Sequence, residues 1–314
     1  MIEEILNIEN IDIYFVIGII LFFGILESIS GFLKNSNRKK GDWIQEIMSF
    51  FVLGNLVKPL IVFLIFKAGD LYFPEYRSSL GSYSFIILFL SYILIDDLLQ
   101  YWYHRTAHET PFLWKLHRPH HQAEEMGYFV SYRNALLYYL LMPNIWWVAL
   151  VLFLGGAKAV ALGLILKQFV IIGSHSRLKW DKPFYEYAVL HPIIKVIERI
   201  IITPAFHHSH HGTSRLDSAS EPNGNFGNMF SLWDQLFGTA TFQNSYPKEY
   251  GLQQKTNDPW TASYFYPFVK SPDPKSEWNS GFKKTDTLSL EALSVSLTKG
   301  ENYLWCACGM STKQ

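Results

Sequence analysis

Long apolar runs constrain this chain more than any other feature. A bilayer core of about 30 Å needs roughly 20 apolar residues in a helix. Five stretches approach that length: Ile11 to Leu33, Trp43 to Phe66, Ser82 to Leu99, Asn134 to Leu154 and Ala157 to Ile172. Glu27 is the one charge in the first run, Lys58-Pro59 marks a kink or break in the second, and the third ends in Asp96 and Asp97. Gly155 and Gly156 leave room only for a tight hairpin between the last two. Charged residues make up 17% of the chain, against about 25% in soluble domains. The mean hydropathy of +0.07 is nevertheless too low for a chain that is membrane throughout, so a sizeable part faces water. The expected architecture is an all-α integral membrane protein of four to five transmembrane helices with a helical cap. The alternative is that the last two runs form a re-entrant hairpin, which leaves the parity unchanged.

Orientation follows from the loops. Lys34, Arg38, Lys39 and Lys40 follow the first run, which makes that side cytoplasmic by the positive-inside rule and puts the N-terminus outside. Glu3 and Glu4 stand where a secretory signal would carry Lys or Arg, so a cleaved signal peptide is not expected. If each run then crosses, His104 to Arg133 and everything after His175 return to the cytoplasm. Net charge is zero, and no basic excess points to nucleic acid. Over Pro192 to Ile202 apolar residues recur at helical spacing with Lys195, Glu198 and Arg199 on another face, the pattern of a helix lying on the membrane surface.

All eleven histidines fall between His104 and His211, on one side of this topology. His104 and His108 are spaced i, i+4, which puts both imidazoles on one helical face. His117, His120 and His121 share a face at i, i+3 and i+4, with Pro119 tolerated if that helix begins near His117. His207, His210 and His211 repeat the HxxHH spacing. A single HxxxH is common by chance, but three clusters on one membrane side point to metal ligation. Eight histidines exceed the needs of one ion, since structural zinc takes four ligands, so two ions are the economical reading. Neutral imidazole binds iron, copper, zinc or nickel, and spacing does not choose among them. His175 ends the fifth run at the same side. His191 has no partner at ligand spacing, and His208 points off the ligand face. Asp97, two helical turns before His104, is placed to accept a second N–H from a ligating histidine, with Tyr101 between them. Asp217 and Asn225 are candidates for similar support.

The boxes HRTAH, HRPHH and HHSHH, with TPAFH before the last and NFGNMFSLWDQLFGT after it, resemble the fatty acid hydroxylase and sterol desaturase superfamily of integral membrane oxygenases over roughly Ser82 to Phe242. The resemblance implies a di-iron centre on His104, His108, His117, His120, His121, His207, His210 and His211, with His175 matching an isolated histidine before the last box. It implies O2 as co-substrate, a lipid substrate, and hydroxylation or desaturation of an unactivated C–H bond in a fatty acyl chain, a sterol or a related lipid. An electron donor is then required: a ferredoxin-like protein, a reductase or a fused iron–sulfur domain. The same site would serve an ether-lipid monooxygenase or a carotenoid hydroxylase. The reading from another class is a non-catalytic membrane metal-binding or transport protein. Arg133-Asn134-Ala135 and Gly127-Tyr128-Phe129 depart from the family pattern and bear on substrate class rather than on the metal centre.

The expected organisation is a membrane-embedded domain over 1–270, a linker over 271–286 and a short β-like tail over 287–314. The tail reads LSVSL, a Lys-Gly turn, then YLWCACG. Cys306 and Cys308, followed by Gly309 and Ser311, resemble the opening half of a CDGSH-type [2Fe–2S] domain, whose cluster uses three cysteines and one histidine. Only the two cysteines match, so a complete cluster is expected only in a longer parent chain, and the sequence is expected to be truncated or its tail vestigial.

Overall fold

The structure is a computed structural model that describes residues 2–32, 34–252 and 257–279. Its helices are α1 (Ile2–Ile29), α2 (Lys40–Val52), α3 (Lys58–Tyr72), α4 (Phe85–Glu109), α5 (Pro111–His121), α6 (Leu136–Leu141), α7 (Pro143–Phe153), α8 (Ala157–His175), α9 (Lys182–Glu186), α10 (His191–Ile197), α11 (Pro204–His210), α12 (Leu232–Leu236) and α13 (Trp260–Tyr264). Among the described residues there is no β-strand, only the isolated antiparallel pairings of Ile201 with Phe230 and Gly212 with Tyr250. The β-like tail, with Cys306 and Cys308, lies outside the described residues.

Among the described residues three helices are long and apolar enough to cross a membrane: Lys40–Tyr72, Phe85–Glu109 and Ala157–His175. They expose Phe63, Ile87, Leu90 and Phe169, large apolar side chains that only a lipid solvent makes favourable. The second run does not break at Lys58-Pro59. A π-helical turn over Leu53–Val57 joins α2 to α3. Proline has no N–H for the carbonyl of Asn55, and widening the turn by one residue absorbs that loss without ending the helix. The fourth run is divided at Met142 into α6 and the short α7.

α8 is the central post, packing on α1, α4 and α7. It approaches α4 closely at Gly163, where an added Cβ would lie 2.4 Å from the Tyr92 ring. Beside that contact Lys167 of α8 forms a buried ion pair with Asp96 of α4. Residues 271–279, expected to begin a linker, pack on α5: the Glu277 carboxylate pairs with Arg118, and the Trp278 ring lies 5.5 Å from the Arg118 guanidinium.

Removing one partner of a buried pair strands the other charge, at a cost of about 3–5 kcal/mol, whereas replacing both with apolar groups is close to neutral. Lys167→Met is therefore expected to lower the thermal unfolding temperature in detergent, and the Lys167→Met/Asp96→Leu double variant to recover most of the loss.

Candidate metal centre

Four helix ends build the site. α4 carries His104 and His108 on its last two turns, and α8 ends on His175. α5 and α11 both start with proline in the first turn, where its missing N–H costs no hydrogen bond. The Thr203 hydroxyl caps α11 by accepting from Phe206 N at 3.4 Å. α5 starts earlier than near His117, which leaves Pro119 inside it. The carbonyls around that proline are satisfied from outside: Ala135 N donates to Leu116 O at 3.0 Å and Arg133 Nε to Pro119 O at 2.8 Å.

The nine proposed ligands are all buried, and they sort into two groups. One comprises His104, His108, His117, His121 and His210, the other His120, His175, His207 and His211, with candidate donor atoms within 4.8 Å of one another in each. Both HxxHH boxes are divided between the groups. His117 and His121 go one way and His120 the other, while His207 and His211 separate from His210. The groups abut, the rings of His121 and His211 stacking at 4.6 Å.

The hydrogen bonds establish what the inward nitrogens carry. A carbonyl oxygen only accepts, so a ring nitrogen bonded to one must hold the proton. Nδ1 of His104 donates to Phe226 O at 2.8 Å, that of His120 to Val130 O at 3.0 Å, that of His175 to Ile171 O at 2.7 Å and that of His210 to Gly224 O at 2.7 Å. His117 Nδ1 lies 2.8 Å from Asn134 Oδ1. In these neutral rings Nε2 is then a bare lone pair. Yet Nε2 of His104 faces that of His210 at 3.0 Å, and Nε2 of His120 faces that of His175 at 3.2 Å. Facing lone pairs repel unless a cation lies between the rings. Nε2 of His108, His117 and His121 are buried with no hydrogen-bond partner among the described residues. Both groups thus fit metal ions, and an all-imidazole set suits iron, copper, zinc or nickel.

Backbone oxygens aim the rings, so the segment that supplies two of them must be held. Asp234 accepts from Phe226 N and Gly227 N at 2.7 Å each and from Thr239 Oγ1 at 2.6 Å. Gly227 permits this approach, since an added Cβ would lie 2.7 Å from Asp234 Oδ2. Asp97 does not accept from a histidine. It accepts from Met229 N and Phe230 N at 3.0 Å and from Trp233 Nε1 at 3.1 Å, because His104 is already engaged by Phe226 O. Asn225, at φ 56°, donates through Nδ2 to Phe206 O and Thr241 O and accepts at Oδ1 from Thr241 N, rather than bonding an imidazole. Tyr101 stacks on Phe237 at 5.3 Å and bonds Thr239 Oγ1 at 2.9 Å. Asp217 accepts from Ala219 N and Lys248 N, away from any histidine.

His208 stands outside both groups, its Nε2 donating to Ser176 O at 3.1 Å and its Nδ1 accepting from Tyr250 Oη at 3.0 Å. His191 bonds Tyr185 O on the surface. Several supporting residues escaped sequence reasoning. Asn134 and its neighbours Arg133 and Ala135 hold α5, although as a departure from the family pattern they looked like substrate determinants. Glu27 was visible as a charge in an apolar run. Its Oε1 accepts from Tyr128 N, Ser176 Oγ and Arg177 N, tying α1 to the end of α8 beside His175. Asp234 lies within the NFGNMFSLWDQLFGT segment that carries part of the family resemblance, but its role depends on the loop that folds over it.

Burial, then the neighbouring imidazoles, hold His120, His121, His207 and His211 well below the ordinary 6.5, and burial does the same first for His117 and His210. Without metal the fold therefore favours the neutral rings, whereas the unfolded chain takes up protons as pH falls through about 6.5. Burial raises Asp234 to about 6 and lifts Asp181 and Glu198 as well, which acts in the opposite sense but on fewer groups than the buried imidazoles. The metal-free protein is thus expected to have its full stability above about pH 7 and to lose it progressively below 6.5. Unfolding temperatures of chelator-treated protein across that range test this, and a flat or rising trend toward acid would contradict it.

The fatty acid hydroxylase family model matches residues 89–239. Human alkylglycerol monooxygenase is 26% identical over 163 residues, 51% of this chain and 32% of that protein. The alkylglycerol monooxygenase of Danio rerio is 25% identical over 178 residues, 55% of this chain and 35% of its own length. The very-long-chain aldehyde decarbonylase GL1-10 of Oryza sativa subsp. japonica is 30% identical over 152 residues, 48% of this chain and 45% of the relative. The chain thus spans about a third of the length of the alkylglycerol monooxygenases it matches. No solved structure matches it.

Proposed function

We propose, from a chain that carries a fatty acid hydroxylase domain over residues 89–239, that this protein is a membrane-bound di-iron oxidoreductase that uses O2 to hydroxylate or desaturate a lipid C–H bond. The observation that carries the proposal is the pair of abutting histidine groups, whose bare nitrogens face one another across about 3 Å in rings that burial keeps neutral. Two iron ions held there, supplied with two electrons and two protons, would convert O2 and R–H to R–OH and water. The chain's own contribution is to hold and to shield. The carbonyls of Phe226, Val130, Ile171 and Gly224 keep the protons on the outward ring nitrogens, so that the inward ones are donors to metal. Trp114 lies 5.0 Å from the His108 ring, and Tyr138 stacks on His117 at 4.8 Å, closing the first group against water.

In this reading four to five helices span the bilayer, with the N-terminus outside and the histidine groups at the cytoplasmic boundary. A boundary site lets a lipid keep its head in water and its chain in hydrocarbon. Electrons come from a ferredoxin-like protein, a reductase or a fused iron–sulfur domain. The names of the relatives favour one refinement: the carbon attacked is next to an ether oxygen, and the hydroxylated ether lipid then cleaves to an alcohol and an aldehyde. A transport role suits the site poorly, since it would want ionisable ligands along the spans rather than closed at their ends.

Metal analysis of purified protein together with lipid profiling of expressing cells tests the proposal. Wild type is expected to hold two irons per chain, while His117→Ala and His207→Ala each lose at least one and abolish lipid conversion; unchanged lipids with no histidine-dependent metal would sink it. On an alkylglycerol substrate, aldehyde release separates ether cleavage from acyl hydroxylation.

A further inference from the structure

The residues between His175 and the third histidine box carry an apolar face that no part of the described protein covers. Over Ala188–Ile197 and the turn after it, Val189, Ile193, Val196 and Ile200 are 82%, 49%, 61% and 53% exposed. Their spacing of four, three and four residues makes one helical stripe. The opposite side is packed, with Ile194 and Glu198 buried.

The sequence pattern over Pro192 to Ile202 reads as an amphipathic surface helix and nothing more. The structure adds a second element and a depth. α12 is stitched to this segment by Ser231 Oγ donating to Glu198 O at 2.6 Å and Gln235 Nε2 to Arg199 O at 2.8 Å. It adds Leu232 and Leu236, 45% and 65% exposed, to the same region. α12 is also fixed in height against a membrane-spanning helix, because Asp97 of α4 holds Met229 N, Phe230 N and Trp233 Nε1. Asp97 lies twelve residues past Phe85, where α4 starts after the polar loop containing Glu75 and Arg77. That is about 18 Å along the helix axis, within a hydrocarbon core of about 30 Å. With Phe85 taken at one edge of that core, Asp97 and the α12 groups it holds lie short of the other edge. Phe237 at its end packs on Trp102 at 4.9 Å, and Trp102 is itself 43% exposed on the lipid side of α4. The apolar face continues the lipid-facing strip of a span.

We propose that α10 and α12 form a non-spanning wall of the cap that is inserted in the hydrocarbon of one leaflet, its occupant being the bilayer itself. The charges fit that solvent. The exposed ionic residues of α10 and the turn after it, Lys195 and Arg199, are both cations suited to lipid phosphates, while the acid, Glu198, is buried with Tyr185 Oη donating to it at 3.0 Å. Trp180 and Tyr187, 40% and 62% exposed, supply the aromatic side chains that settle at head-group level. The wall leads directly through Ile201 and Ile202 into α11, the helix that carries the buried third histidine box. This inference stands on geometry and holds whether or not the site is an oxygenase.

The test uses the full chain in nanodiscs of phosphatidylcholine and phosphatidylglycerol, with Cys306→Ser and Cys308→Ser as background and a nitroxide attached at Val196→Cys or at Leu236→Cys. Ile87→Cys on the lipid side of α4 and Lys248→Cys on the exposed polar surface are the controls. Collision with dissolved O2 is expected to match Ile87→Cys, and collision with a water-soluble nickel chelate to be several-fold weaker than at Lys248→Cys. Nickel accessibility equal to Lys248→Cys would show a water-facing surface and overturn the proposal. Shielding from both reagents would show that a protein covers the face, and would overturn it equally.

Discussion

Nine imidazoles brought together without water have to be neutral, and their bare nitrogens then repel one another. That repulsion is the constraint on which the rest of the structure depends. His104 faces His210 and His120 faces His175 at about hydrogen-bond distance with no proton between them. The arrangement is tolerable only if each ring is locked by its other nitrogen and a cation occupies the centre. The chain locks them with backbone oxygens rather than carboxylates. A carbonyl fixes the tautomer without adding a buried negative charge beside the metal, so the buried acids are free to act one layer further out.

That outer layer is where the helices and the cap are joined. Asp234 and Asp97 between them bind the amides of Phe226, Gly227, Met229 and Phe230, so the loop that orients His104 and His210 is held from below and from the side. Glu27 does the same for the end of α8 beside His175, and Asn134 for α5. Asp97 and Glu27 join segments far apart in sequence, whereas Asp234 and Asn134 act on nearer ones. Part of the support lies outside the region of family resemblance, in the 271–279 segment whose Glu277 pairs with Arg118 between His117 and His120.

Much of this was legible in the chain. The histidine spacing picked out eight of the nine residues of the two groups and left out His191 and His208, because one helical face admits only certain offsets, while His175 came only from the family resemblance. The apolar lengths identified the three long helices, and at Lys58-Pro59 the helix does not break but carries on through a π turn that accommodates the proline. The supporting residues were legible only as oddities. Glu27 looked like a stray charge, Asp97 like a partner for His104, and Arg133-Asn134-Ala135 like a variation in substrate contacts. Sequence spacing sees neighbours on one helix, and every one of these residues acts on a different element.

What the sequence alone determined was the long apolar helices and the three histidine boxes as candidate ligands, since these follow from side-chain identity and from periods of 3.6 residues. Only the tertiary structure decided how that set divides. The split of each HxxHH box between two groups depends on which rings α4, α8 and α11 bring opposite α5. That is a property of helix packing, set by contacts such as Gly163 against Tyr92 and Lys167 with Asp96, and it leaves no trace in local spacing.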